Sequence, residues 1–238
     1  MMKARSAPSG ASRPSAKASA HSPEAASGQS ADAASPVVSK RSLRAQERRA
    51  AIVAAAFEEF VARGFAATRM EDVARRARVG KGTIYLHFKD KEALFQELVR
   101  TELVPVISRF AVSPDGVTSA RDLLERFTAI FANEIAGTRR GDILRLMVAE
   151  GSRFPQLAEF YYREVVERGL AMMRQVIAYG IARGEISDPD LARFPQIVPA
   201  PALLAIVWQG LFGRFAPLDV AAMLKVHFDL IFGPRRTQ

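Results

Sequence analysis

The stretch Thr68-Arg-Met-Glu-Asp-Val-Ala-Arg-Arg-Ala-Arg-Val-Gly-Lys-Gly-Thr-Ile-Tyr-Leu-His-Phe-Lys-Asp-Lys91 reads as two short helices about a three-residue turn. Thr68 to Glu71 matches a capping box, which predicts that the first helix starts there and carries Met70, Val73, Ala74 and Ala77 inward. A break at Arg78–Gly80 precedes a second helix, Lys81–Phe88, with Ile84 and Phe88 one turn apart. Val73, Ala74, Val79 and Ile84 are spaced to form the small core that locks the pair, and Ala74 is small enough for the helices to cross closely. If Ile84 and Phe88 point inward, the opposite face presents Lys81, Thr83 and His87, with Tyr85 at its flank. These groups suit a major groove: lysine donates to guanine or phosphate oxygens, threonine offers a hydroxyl and a methyl, and His and Tyr reach phosphate. Gly82 lets the backbone approach closely. Arg69 in the first turn of one helix and Lys91 at the start of the next are placed to meet phosphates, as are the free N–H groups of those helix ends. Arg75 and Arg76 widen the positive surface.

Upstream, Ile52, Ala56 and Phe60 recur at every fourth position with Val53, Phe57 and Val61 beside them, one wide apolar stripe of a helix that begins near Leu43. Gly64 suits a left-handed helix end, and Phe65 supplies the apolar residue that packs back on it. Downstream, Lys91–Phe110 reads as a longer helix bent at Pro105. Charge is concentrated in the same region. The chain carries a net +9, of which residues 40–100, with 14 Lys/Arg against 8 Asp/Glu, hold +6. A basic segment on a near-neutral body is the electrostatic footprint of a polyphosphate partner, or a solvated basic surface; charge alone does not separate the two.

The residues Ile52, Ala56, Phe60, Gly64-Phe65, Thr68, Val73-Ala74 and the run Lys81-Gly-Thr-Ile-Tyr-Leu-His-Phe-Lys-Asp-Lys-Glu-Ala-Leu-Phe95 together resemble the tetracycline-repressor (TetR/AcrR) family of bacterial regulators. The resemblance is close over residues 45–100 and one of layout beyond Phe110. It implies a three-helix DNA-binding lobe, a helical ligand-binding and dimerisation lobe, and an effector that releases DNA. It also implies that Lys81, Gly82, Thr83, Tyr85, His87 and Lys91 are the DNA-contacting positions. Two positions depart from the family pattern. Arg78 stands in the turn where glycine is usual, at about 1 kcal/mol for a left-handed conformation, and could add a phosphate contact. Gly80 replaces the Ser or Thr that usually opens the recognition helix, and is a slightly weaker cap.

After a Ser-Pro-Asp-Gly turn at 113–116, amphipathic segments recur at 119–136, 141–151, 156–183, 202–213 and 217–232, separated by Gly or Pro, with no sustained alternation of period two. The expected fold is all-α with about nine helices in two lobes. Its expected organisation is an Ala/Ser/Pro-rich disordered basic tail over 1–42, the helix-turn-helix domain over 43–92 and an effector-binding and dimerisation domain over 93–234. Soft and aromatic side chains at Met147, Phe154, Tyr161, Met173 and Ile177 could line a pocket for a small apolar effector, with Arg145, Glu150 and Arg153 as a polar end. Two strongly apolar helices near the C-terminus are expected to pair across a homodimer as a four-helix bundle, burying Leu204, Val207, Trp208, Leu211 and Phe228.

Several functions are disfavoured. There is no cysteine, hence no disulfide framework or thiolate site, and the absence fits a cytoplasmic protein. The three histidines, at 21, 87 and 227, form no metal-ligand cluster. No Gly-x-Ser-x-Gly occurs, and the glycine that a phosphate loop ending in Gly80-Lys81 needs at position 75 is an arginine. No cofactor and no catalysis are expected. Phe194–Gly213 is twenty residues without a charge, yet Pro195, Pro199, Pro201, Gln196, Gln209 and two glycines suit a buried or interfacial helix better than a membrane span. The other function in play is a helical interaction module whose basic surface binds acidic protein or lipid. Sequence-specific against salt-reversible DNA binding separates the two.

Overall fold

A computed structural model describes residues 40–109 and 119–233, and every regular element among them is helical. The sequence expectations for residues 1–39 and for the turn at 113–116 lie outside the described residues.

Helix α1 (Lys40–Ala67) starts three residues before Leu43 and buries Ile52, Val53, Ala56, Phe57 and Phe60, while Val61 turns to solvent. Gly64, at φ 77° and ψ 165°, kinks it in a region open essentially to glycine alone. The chain then regains helical form to Ala67 instead of ending. That overrun decides the fate of Thr68. Helix α2 (Met70–Arg76) has Arg69 as its N-cap with no side-chain cap, so the capping box is not formed. Thr68 is buried against the end of α1, where its hydroxyl donates to the carbonyls of Gly64 at 2.8 Å and Glu59 at 3.2 Å.

Helix α3 (Lys81–His87) follows, and α4 (Lys91–Glu102) is capped by Asp90, whose carboxylate accepts from the Ala93 amide at 2.7 Å. The bend expected at Pro105 falls at Leu103, just before α5 (Val104–Ser108). Proline is tolerated within the first turn of a new helix, so the break sits upstream of it. Helix α6 (Ala120–Glu134) does carry a reciprocal capping box, Ser119 with Asp122. Helices α7 (Arg139–Glu150), α8 (Pro155–Tyr161), α9 (Glu167–Ala182), α10 (Ala200–Phe212) and α11 (Val220–Phe232) complete the fold. A π-helical turn, Tyr162–Val166, joins α8 to α9, and two 3₁₀ turns precede α10: Pro189–Ala192, and Pro195–Ile197 within the uncharged stretch.

Two apolar clusters hold these helices. The first joins α1 to α4 with α7 and α8, around the rings of Phe60, Phe65 and Phe95, whose centroids lie 5.4–6.2 Å apart. The second joins α6, α9, α10 and α11, and Leu144 on α7 packs against both. Phe228 lies in the second cluster, 1% exposed. It is core within one chain and not the interface residue expected, because α11 turns Leu224 and Phe228 toward α6 and leaves Val226 and Leu230 outside.

Candidate nucleic-acid interface

Helix α3 is only seven residues long, too short to be stable alone. Its fixation therefore comes from contacts beneath it. Ile84 and Phe88 are fully buried, as their spacing predicts. Arg49 of α1 was not singled out from sequence, yet it fastens the helix from below: its guanidinium donates to the His87 carbonyl at 3.2 Å, lies 4.4 Å over the Phe88 ring and pairs with Glu97 of α4 at 3.0 Å. The turn closes with the Val79 amide donating to the Ala74 carbonyl at 3.0 Å. Arg78 takes φ 56°, the one positive φ outside glycine among the described residues, so the left-handed turn forms without the glycine that suits it.

With one face pinned, α3 turns Lys81, Gly82 and Tyr85 outward and leaves Thr83 and His87 half-buried at the margins. Successive residues advance 100° around a helix, which puts Leu86 diametrically opposite the midpoint of Ile84 and Phe88. Leu86 is 85% exposed, an apolar side chain at the crest of the outer face. Selecting polar groups alone misses it, although the same periodicity that buries Ile84 and Phe88 places it there. Gly82, one turn earlier, has open space wherever a Cβ would point, so the crest is bare on both sides of the backbone at that turn.

The surrounding cations divide into free and engaged. Arg69 and Arg78 are exposed on this surface. Lys81 pairs with Glu71 at 2.9 Å, and that hydrogen bond holds the Glu71 carboxyl below, and the Lys81 ammonium above, their ordinary ranges. Both side chains are exposed, so the pair exchanges readily for a phosphate. Arg75 pairs with Asp72 at 2.6 Å. Arg76 reaches back to the buried Glu59 of α1 at 2.6 Å, which makes it a tie between helices more than a part of the positive surface.

Lys91 departs most from expectation. Its ammonium donates to the carbonyls of Phe65 at 2.8 Å, Ala66 at 3.0 Å and Thr68 at 3.4 Å, and sits 4.6 Å over the Phe65 ring. A cation at a helix C-terminus satisfies carbonyls left without intrahelical partners. Lys91 thus clamps the kinked end of α1 to the start of α4, a positioning residue for the surface and not a free phosphate donor.

The second lobe holds a cavity of about 230 Å³ between α4–α7 and α8–α10, lined among others by Leu103, Phe127, Phe131, Leu144, Tyr161 and Met173. Tyr161 and Met173 line it. Met147, Phe154 and Ile177 do not. Met147 and Phe154 pack into the first cluster, with the Phe154 ring 4.8 Å from that of Phe65, and Ile177 is sealed in the second. Helical spacing marks these residues as inward but cannot say which inner surface they meet. The expected polar end also differs. Arg145 pairs with Asp142 and donates to the Ile206 carbonyl, Glu150 accepts from the Ala66 amide and pairs with Arg153, and the arginine that lines the cavity is Arg140.

On the outer face of α10, Leu204, Trp208 and Leu211 are exposed and Val207 is half-buried. Leu203, Phe212 and Phe215 extend the same apolar patch, with Val226 and Leu230 of α11 exposed as well. Among the described residues no group of histidine or carboxylate side chains could hold a metal ion, and no helix is long and apolar enough to cross a membrane.

Comparison with known proteins meets this geometry at both ends of the chain. The family model for bacterial regulatory proteins of the tetR family matches residues 52–98, and that for tetracyclin repressor-like C-terminal domains matches residues 113–224. The HTH-type transcriptional regulator YhgD of Bacillus subtilis is 29% identical over 193 residues, covering 76% of this chain and 94% of the relative. The HTH-type transcriptional repressor KstR2 of Mycolicibacterium smegmatis is 30% identical over 146 residues, covering 60% and 69%. The fold is shared with the crystal structure of the regulator FadR from Bacillus subtilis in complex with stearoyl-CoA, at a TM-score of 0.62 and 20% identity over 77% of this chain and 97% of that one. The chain belongs to the tetR family of bacterial regulatory proteins, transcriptional regulators with an N-terminal helix-turn-helix.

Proposed function

We propose that this regulator is a ligand-released repressor that binds a near-palindromic operator as a homodimer in the cytoplasm, with the division of labour falling near residue 92. The observation that carries the proposal is the pinned helix α3. Ile84, Phe88 and Arg49 hold it from below, while Lys81, Gly82, Thr83, Tyr85 and Leu86 face outward or lie at the margin. In this reading Lys81, Tyr85, His87 and Arg69 meet phosphates or base edges, Thr83 reaches the groove beside Gly82, and Leu86 meets a thymine methyl at the groove floor. Repression is supported by the similarity to the transcriptional repressor KstR2. The dimer is supported by the apolar stripe Leu204–Trp208–Leu211, which a two-fold axis can bury against itself. Two recognition helices then fall on successive major grooves, half-sites about 34–36 Å apart.

Release follows from linkage between two sites, each favouring one of two arrangements. Helix α7 is the physical link. Arg140 and Leu144 on it line the cavity, and at its far end the Glu150 carboxylate accepts a long 3.5 Å hydrogen bond from Ala66, beside the Gly64 kink. Near its start Arg139 pairs with Glu58 and lies 4.6 Å over the Phe57 ring, so α7 grips α1 at two places. A ligand that shifts α7 therefore shifts α1, the base on which α3 stands. FadR from Bacillus subtilis binds stearoyl-CoA in its crystal structure, and an apolar effector suits the cavity lining found here.

The test is a gel-shift titration with the DNA upstream of the protein's own gene. Tyr85→Ala and Leu86→Ala each weaken specific binding about tenfold, with the dimer intact by sedimentation. Affinity that ignores sequence, or variants that bind like the parent, overturns the assignment.

A further inference from the structure

The reading of the cavity as the effector site leaves open what it accepts. We infer that it takes an uncharged, ring-sized apolar molecule that presents a single hydrogen-bond acceptor to the Tyr161 hydroxyl; the inference rests on that reading.

Size sets the first bound. At about 230 Å³ the cavity is roughly one and a half times the 150 Å³ or so that holds a benzene molecule. That admits a single ring with a short substituent. The walls are nearly all hydrocarbon, so affinity comes from burial and specificity from few polar groups.

Charge sets the second bound. Arg140 is the one charged residue that lines the cavity. Its Nε lies 3.2 Å from the Glu102 carboxylate, and its Nη1 lies 3.8 Å from that of Glu134 and donates to the Glu134 carbonyl at 3.3 Å. Glu134 is paired in turn with Arg109. Two arginines and two glutamates cancel. An anionic ligand meets an Arg140 whose charge is already offset by Glu102 and Glu134, although its buried Nε makes no hydrogen bond, and a cationic ligand finds each carboxylate already bridged. Burying an uncompensated charge here is disfavoured either way.

Polarity sets the third. Tyr161 is 8% exposed, lines the cavity, and among the described residues its hydroxyl has no hydrogen-bond partner. Burial pushes its phenol above the usual range with no cation to oppose it, so the group stays protonated and offers a donor. A hydroxyl in a cavity wall with no protein partner is a group that a ligand can satisfy. The backbone explains why so much of one helix faces the cavity. The π-helical turn Tyr162–Val166 takes more than four residues per turn, which brings Tyr161, Val165, Val166, Gly169 and Leu170 to the same side. Such single wide turns recur at functional sites.

The experiment is calorimetric titration of the full-length protein with three probes of equal heavy-atom count: acetophenone, isopropylbenzene and benzoate. Acetophenone is expected to bind about fivefold tighter than isopropylbenzene, the gain of one hydrogen bond. Tyr161→Phe abolishes that preference and leaves isopropylbenzene affinity unchanged, and benzoate binds at least tenfold more weakly than acetophenone. Tightest binding of benzoate, equal binding of the two neutral probes, a preference that survives Tyr161→Phe, or no binding by any probe overturns the inference. Should Tyr161→Phe fail to fold by circular dichroism, the three affinities of the parent still decide. Operator release is measured separately. A probe that binds as stated yet leaves the operator occupied sinks the effector reading and leaves this ligand class standing.

Discussion

The recognition helix and the C-terminal helix pair use apolar residues in opposite ways. On α3 the two residues spaced as a stripe, Ile84 and Phe88, both go inward, and the outer face is polar apart from Leu86. On α10 and α11 apolar residues spread over most of the surface, with only the Lys225–Asp229 pair charged, and neighbours meet different fates: Phe228 is 1% exposed, Leu230 80%. An amphipathic helix has one way to bury its stripe. A helix that is apolar on every side can bury any face, so packing partners decide which one is left for a second subunit. The contrast separates residues that hold one chain together from residues that join two.

The largest effect that would break this contrast comes from paired substitutions in the C-terminal helices. Phe228→Ala should cost about 3–5 kcal/mol of unfolding free energy, because it empties a core site, with the dimer's association constant hardly changed at matched fraction folded. Leu211→Glu, on the exposed stripe, should leave folding stability within about 0.5 kcal/mol and convert dimer to monomer in sedimentation velocity. Swapped outcomes would mean that α11, not α10, forms the interface.

A smaller effect sharpens the comparison at the joint between the regions. Gly64 takes φ 77°, and a Cβ added there would lie 2.6 Å from the Glu150 carboxylate. Gly64→Ala should lower stability by about 2–3 kcal/mol from strained backbone, read as a shift in urea midpoint. Adding Glu150→Ala removes the clash but not the positive φ, so only part of the loss returns. Full recovery would show that contact, not backbone, sets the requirement. The smallest effect is at the turn. Arg78→Gly relieves a left-handed arginine, with a gain of about 0.5–1 kcal/mol after glycine's greater unfolded-state entropy is set against it. It should also weaken DNA binding slightly if the Arg78 guanidinium meets phosphate. A stability loss would mean that the side chain, not the backbone, matters at that position.

How much was legible followed from the range of the forces involved. The stripe Ile52–Phe60, the turn at Arg78 and the inward pair Ile84 and Phe88 are set by neighbours within a few residues, and they stand where periodicity put them. Thr68 and Lys91 fooled the local patterns for one shared reason: α1 regains helical form past Gly64, and its free carbonyls took the Thr68 hydroxyl and the Lys91 ammonium. Arg49 gave no sequence signal, since its partners His87 and Glu97 lie 38 and 48 residues away in the chain, and nothing in the spacing around Arg140 marks it as part of a cavity wall.

By itself the sequence determined the all-helical class, the helix-turn-helix with its turn, and the residue types offered to a groove, because short-range spacing decides each of these. Tertiary structure alone decided which inward residues line the cavity, which apolar helix face stays exposed, and which cations remain free for a phosphate. Those are questions of what lies opposite a side chain across the fold, and a one-dimensional pattern contains no measure of that distance.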